Sequence, residues 1–159
     1  MLSRGALAPV PLAIALSVLA APALWADPAE EAPGGDSVSA EYTLGKKAVE
    51  AKDWTSAIRF LSNAAVQDDR NPDLENLLGF AYRKIGRLDD AFRHYAKALR
   101  LDPRHRGAHE YIGEAYLMVN NLPKAEEHLA ELKRICLIAC EEYADLEKAI
   151  AAYRAGYGE

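Results

Sequence analysis

The sequence predicts an all-α protein, a stack of helical hairpins that repeat every thirty-four residues. Three observations carry that expectation. Gly45, Gly79 and Gly113 are spaced by the interval, and so are Ala57, Ala91 and Ala125. Larger side chains keep the same phase: Leu44, Leu78 and Ile112 precede the glycines, Trp54, Leu88 and Leu122 precede the alanines, and Leu61, Tyr95 and Leu129 follow them. Between these anchors, apolar residues recur at helical spacing, and no strand-like alternation appears. A fixed period of this length marks an architecture in which each unit buries its apolar face only against its neighbours.

The first segment reads differently. Arg4 is the only charge before Asp27, and Ala6 to Ala20 are almost wholly apolar. Small residues follow. This is the three-part pattern of a secretory signal peptide, expected at 1–26 with cleavage after Ala26; cleavage after Ala23 is the alternative. An uncleaved anchor fits less well, because the apolar run is short for a span of about 20 residues and Pro9 and Pro11 interrupt it. Removal of 1–26 takes away one Arg, leaving 18 Lys and Arg against 24 acids, a net charge of −6. With no basic block, nucleic acid and anionic membrane are poor partners for such a chain. Residues 27–37 hold two prolines, two glycines and several acids, the composition of a flexible leader.

From Val38 onward the elements follow in order. Val38 to Ala51 is the first helix, with Tyr42, Leu44, Ala48 and Val49 at helical spacing. Asp53 is placed to cap the second helix, Trp54 to Val66. Asn71-Pro72 opens the next hairpin, with Asn as cap and Pro at the first helical position. That unit runs Asp73 to Lys84, turns at Gly86-Arg87, and continues Leu88 to Leu101. The third runs Ala108 to Val119, turns at Asn120-Asn121, and continues Leu122 to about Ile135. The expected units are therefore 38–71, 72–105 and 106–139. Glu141 to Tyr153 then aligns Tyr143, Leu146, Ile150 and Tyr153 on one face, and Leu146 lies one interval after Ile112. This makes 141–155 a capping helix, the first half of a fourth unit, sealing the stack from water.

The small residues have a packing purpose. A helical Gly costs about 1 kcal/mol against Ala, so three in register imply close approach of antiparallel helices. Gly45, Gly79 and Gly113 are expected to face Ala57, Ala91 and Ala125. With these residues in place, Gly79, Tyr82, Ala91, Tyr95, Ala98 and Pro103 resemble the tetratricopeptide-repeat (TPR) pattern. Gly45, Ala57, Leu61 and Ala64 resemble it too, as do Gly113, Tyr116, Ala125 and Leu129. The resemblance covers 38 to about 140 and implies a TPR-type α-solenoid of three hairpins plus the cap. Departures are Ala48 in place of an aromatic, Leu132 in place of a small residue, and no Asp-Pro ending the third unit.

Cys136 and Cys140 are the only cysteines. Export makes a disulfide the default. On an unbroken helix Cβ atoms four residues apart are about 5–6 Å apart, too far for a bond that wants about 3.8 Å. The helix must therefore break within Leu137-Ile138-Ala139, where the repeat register puts a turn. The main reading is a structural staple. A redox switch, soft-metal binding and free thiols are the alternatives, and Glu141 and Glu142 oppose a reactive thiolate at Cys140. The Cys-x3-Cys-Glu-Glu-Tyr-x-Asp-Leu ending also resembles a subset of small exported bacterial repeat proteins. His94 and His128, one interval apart, read as polar positions on a solvated ridge; His105 and His109 read as surface. No metal site, no cofactor and no catalytic constellation is expected, so the chain does not read as an enzyme.

In the TPR family the first helix of each hairpin lines a concave groove. By register, the resemblance places Tyr42, Lys46, Asn76, Phe80, Arg83, Lys84, Tyr111, Glu114 and Met118 there. The Lys/Asn clamp that some eukaryotic members use for a peptide carboxylate maps onto Tyr42, Lys46, Leu77, Gly107 and Tyr111, of which only Lys46 suits the task. The reading is a monomeric, non-enzymatic scaffold of the periplasm or exterior. It would bind a protein or peptide in the envelope and, once its signal is cleaved, would not span the membrane. The alternative is a thiol-redox or metal-delivery accessory acting through Cys136 and Cys140.

Overall fold

The computed structural model of the chain describes residues 34–138 and 140–157. The expected signal peptide, and the leader up to residue 33, lie outside the described residues. Among those described there are only helices: α1 Gly34–Glu50, α2 Trp54–Gln67, α3 Pro72–Lys84, α4 Leu88–Leu101, α5 Arg106–Met118, α6 Leu122–Ile135 and α7 Glu141–Tyr157. Helix α1 starts inside the expected leader, which is a correction for residues 34–37. Once a helix is nucleated, each further residue gains a backbone bond at small cost, so α1 extends backward through a poor helical sequence.

Within each hairpin the turn is the same. Lys52, Gly86 and Asn120 occupy the left-handed region, with φ of 58°, 76° and 58°. The next residue returns its N–H to a carbonyl five places back: Asp53 to Ala48 at 2.9 Å, Arg87 to Tyr82 at 3.0 Å and Asn121 to Tyr116 at 2.8 Å. This is the Schellman closure of a helix C-terminus, and glycine suits its left-handed position best. The following helices are capped by Asp53, which accepts from the Ser56 N–H at 3.1 Å, and by Asn121, which accepts from Lys124 at 3.2 Å.

The turns between hairpins also repeat. Asp68 accepts from the Arg70 N–H at 3.2 Å, and Asp102 accepts from the Arg104 N–H at 2.8 Å. One interval further on, Cys136 stands in place of the aspartate and is bonded to Cys140, with Cα atoms 5.9 Å apart. The helix is broken there, between Ile135 and Glu141. The disulfide thus closes the turn that elsewhere is closed by an aspartate side chain. Two caps open the next hairpins: Asn71 accepts from Leu74 at 3.1 Å, and His105 Nδ1 accepts from Ala108 at 3.1 Å.

The core lies between hairpins. Leu78 packs with Ala57, Leu61 and Ala64 of the preceding unit, Ile112 with Ala91 and Tyr95, and Leu146 with Ala125 and Leu132. Leu44, at the same register in the first unit, is 42% exposed, because the described hairpins lie only on the C-terminal side of its unit. The glycines do not open chiefly onto the alanines. A Cβ on Gly45 would lie 2.6 Å from the Leu61 side chain, one on Gly79 2.6 Å from the Tyr95 ring, and one on Gly113 2.6 Å from Leu146. Ala57, Ala91 and Ala125 are fully buried beside them. The glycine therefore makes room for a large side chain, not for a neighbouring methyl group.

Successive first helices adjoin: α1 meets α3, α3 meets α5, and α5 meets α7. Helix α2 does not reach α4, and α4 does not reach α6. A stack whose first helices touch while its second helices splay must curve with the first helices inside. The inner face is lined by α1, α3, α5 and α7.

Candidate functional site

An aromatic run reaches the inner face at Phe80 and Tyr111, flanked by Trp54 of α2 and the fully buried Tyr95 of α4. Trp54 meets Phe80 edge-on at 5.7 Å, Phe80 meets Tyr111 at 4.8 Å, and Tyr111 meets Tyr95 at 6.4 Å. Such pairs bring large contact area at low conformational cost. Cations sit over these rings: Lys46 lies 5.6 Å from the Tyr42 ring and Lys84 5.0 Å from the Phe80 ring. Burial, then the charge of Asp73, pushes the Tyr42 phenol above its ordinary pKa. Burial and the neighbouring Glu110 push Tyr111 up to about 12.

The structure sorts the sequence-predicted groove residues. Lys46, Lys84 and Met118 are exposed; Tyr42, Phe80, Tyr111 and Glu114 are half-buried. Asn76 and Arg83 are buried, 7% and 8% exposed. Arg83 pairs with Glu114 at 2.5 Å and lies 5.4 Å from both the Phe80 and the Tyr111 ring. It is therefore a brace between α3 and α5, not a free charge for a partner.

Sequence reasoning missed the acidic end of this face. Glu110 is only 8% exposed. Burial first, then Glu114, Asp145 and Glu142, pushes its carboxyl up to about 8. It shares a 240 Å³ cleft with Asn76, Tyr111, Glu141, Glu142 and Asp145. A signal was available: Glu110 follows Tyr42 and Asn76 at the same interval, and Leu146 already put α7 in first-helix register.

The histidines also depart from expectation. His94 does not stand on a solvated ridge. Its Nδ1 meets the buried Glu75 at 2.8 Å, beside Lys97 at 2.7 Å, and its ring stacks on Tyr82 at 5.2 Å. Burial pushes Glu75 up, but the hydrogen bonds from His94 and Lys97 outweigh it and hold the carboxyl below its ordinary range. One interval on, His109 takes the place of Glu75, His128 that of His94 and Tyr116 that of Tyr82. His109 is buried, 6% exposed; its Nε2 donates to the Pro103 carbonyl at 3.1 Å, and its Nδ1 lies 2.9 Å from His128 Nδ1. His105 caps α5 and reaches Asp73 at 3.0 Å. All four therefore join helices to one another. The two on second helices, His94 and His128, face the first helix of their own hairpin. Among the described residues no group of three or more His, Cys, Asp or Glu is arranged to hold a metal.

A family model described as tetratricopeptide repeat matches residues 72–105. The chain therefore carries a tetratricopeptide repeat in its second hairpin. A curated relative, the DnaJ protein P58IPK homolog A of Oryza sativa subsp. japonica, is 32% identical over 112 residues, which is 68% of this chain and 22% of that protein. This chain thus spans about a fifth of that relative. Among solved TPR-like structures, the type III secretion translocator chaperone SycD of Yersinia enterocolitica superposes with a TM-score of 0.70 at 16% identity, covering 78% of this chain and 88% of that one. The first TPR of Spaghetti (RPAP3), bound to the HSP90 peptide SRMEEVD, gives 0.66 at 19% identity, covering 74% and 93%. At these identities the likeness shows the TPR fold: a solenoid of hairpins, here three plus α7.

Proposed function

We propose that this protein is a non-enzymatic scaffold that binds a protein or peptide in the groove lined by α1, α3, α5 and α7. The observation that carries the reading is the packing of first helices on first helices, which leaves a curved face bearing Lys46, Phe80, Lys84, Tyr111 and Met118. Aromatic and cationic side chains on a rigid face suit an extended peptide or a partner helix. Two similar structures support it, one a chaperone and the other a repeat domain with a bound peptide. We place the protein outside the cytoplasm, on the N-terminal signal pattern and the cysteine pair; among the described residues no helix is long and apolar enough to cross a membrane. N-terminal sequencing of the exported chain checks that placement: a start at Asp27 or at Leu24 supports it, and an intact Met1 overturns it.

The groove is tested by capture of partners from envelope extract with the chain immobilised. Lys46→Glu with Lys84→Glu should weaken capture at least tenfold, with an unchanged helical spectrum. Arg100→Glu on the exposed side of α4 serves as the control. Equal capture by both variants would place binding on another face. The redox alternative has less support, since the Cys136–Cys140 bond sits where aspartates close the equivalent turns. A pair that cycles readily under mild reductant would favour that alternative.

A further inference from the structure

The acidic cleft at the α7 end of the groove has unmet polar needs. Its carboxylates come from Glu110 on α5 and from Glu141, Glu142 and Asp145 on α7. The ion pair closing on this group is a long one, Arg106 to Glu142 at 3.4 Å, from a half-exposed arginine. Glu110 is buried and forms no ion pair among the described residues. Asn76, on α3, is also more than nine-tenths buried and lines the same cleft, and its Oδ1 has no hydrogen-bond partner. Burying an unpaired carbonyl costs free energy that a suitable ligand would return. Gly107 keeps the entrance open, since a Cβ there would come 3.1 Å from Asn76 Nδ2.

We propose that this cleft receives an arginine side chain of the bound partner. The inference rests on the groove reading above and names the chemistry of one end of it. A divalent ion needs several oxygens converging at about 2.3–2.6 Å, and the described acids do not converge in that way. A guanidinium carries five donors on a planar fork and reaches acceptors that are spread apart. It also packs against aromatic rings, and Tyr111 lines the cleft. Lysine has a compact, strongly hydrated charge and no plane to stack. The chain's own Arg83 shows the mode next door, paired with Glu114 and set against the Phe80 and Tyr111 rings.

The charges facing Glu110 are Glu114 on its own helix, Glu142 and Asp145 on α7, and Arg83 on α3. With its carboxyl raised to about 8, Glu110 holds a proton at neutral pH. An arriving guanidinium displaces that proton, so binding strengthens as pH rises from about 6.5 to about 8.5.

The test uses the full chain, labelled with nitrogen-15, and four probes: N-acetyl-arginine amide, N-acetyl-lysine amide, N-acetyl-norleucine amide and Ca²⁺. The arginine probe should shift the amide signals of Gly107, Glu110, Tyr111 and Asp145, more strongly than lysine and at lower concentration at the higher pH. Glu110→Gln combined with Asp145→Asn should weaken it at least tenfold. Absence of these shifts, equal response to norleucine, or tighter binding of Ca²⁺ at the same residues overturns the proposal. A second arm pans a phage-displayed random dodecapeptide library on the chain. Peptides enriched in arginine that lose binding in the double variant support the cleft. Groove-bound peptides without a basic residue, sensitive to Lys84→Glu alone, leave the groove reading intact and sink the arginine pocket. No enriched peptide at all counts against both.

Discussion

Leu146 fills the space that Gly113 leaves open. A Cβ on Gly113 would lie 2.6 Å from Leu146 Cδ2 and 2.8 Å from its Cδ1. In the first two hairpins the corresponding space is taken by the unit's own second helix, through Leu61 and Tyr95. In the third it is taken by α7, and Leu129, at the matching register, is only half-buried. Helix α7 accordingly leans onto α5 more than onto α6. Leu146→Ala should cost about 2–5 kcal/mol. Gly113→Ala should cost about 1–3 kcal/mol by overpacking. Because the two residues touch, the double variant should cost less than the sum, which urea denaturation will measure.

The left-handed turn residues set a second prediction. Lys52, Gly86 and Asn120 share one backbone state, yet only Gly adopts it without steric cost, and Asn tolerates it. Lys52→Gly should raise stability by up to about 1 kcal/mol, the relief of the left-handed strain less the added freedom of the unfolded chain. Gly86→Ala should lower it by about 1 kcal/mol. A Cβ on Gly86 meets nothing within 4 Å, so any loss there reports backbone conformation alone. Thermal melts of the two variants should move in opposite directions.

The interval makes the hairpins legible in the sequence. It places the glycines, the capping Asp53 and Asn71, and the break between the cysteines, because each of these follows from a local rule repeated in phase. It does not reveal which large side chain enters each glycine gap. That depends on helix tilt, and tilt is set by packing across the whole hairpin. The histidines escape it for a related reason. A polar residue on a second helix looks solvated in one dimension, and only the neighbouring first helix brings Glu75 to His94 or His109 to His128. Glu110 stands at a groove register shared with Tyr42 and Asn76. Carrying the interval one step further finds it.

The disulfide should act locally. The Cys136–Cys140 bond closes a short loop, worth about 2 kcal/mol in a loop-entropy account, and joins α6 to α7. Cys136→Ser with Cys140→Ser should therefore lower stability by about that amount. The hydrogen-exchange protection of α7 should fall more than that of α3 or α4, since only α7 loses its tether. Uniform loss of protection along the chain would assign the bond a global role instead.

Acid should loosen the third hairpin first. Burial, then the neighbouring His109, holds His128 down to about 4, with Lys124 adding to the effect and Glu127 opposing it. The sign follows from linkage. A histidine depressed in the folded state favours folding while neutral, so its contribution is present above about 6.5 and is lost as pH falls toward about 4. The loss should amount to about 1–2 kcal/mol after discount for partial exposure. The first hairpin offers the control, because Phe60 stands at the register of His128. His128→Phe should cost about 1 kcal/mol at neutral pH, since His109 Nδ1 loses its partner. Between pH of about 6.5 and about 4 the variant should lose less stability than the parent, so that the two melting curves converge. Parallel curves across that range would show that His128 is not the acid-sensitive group.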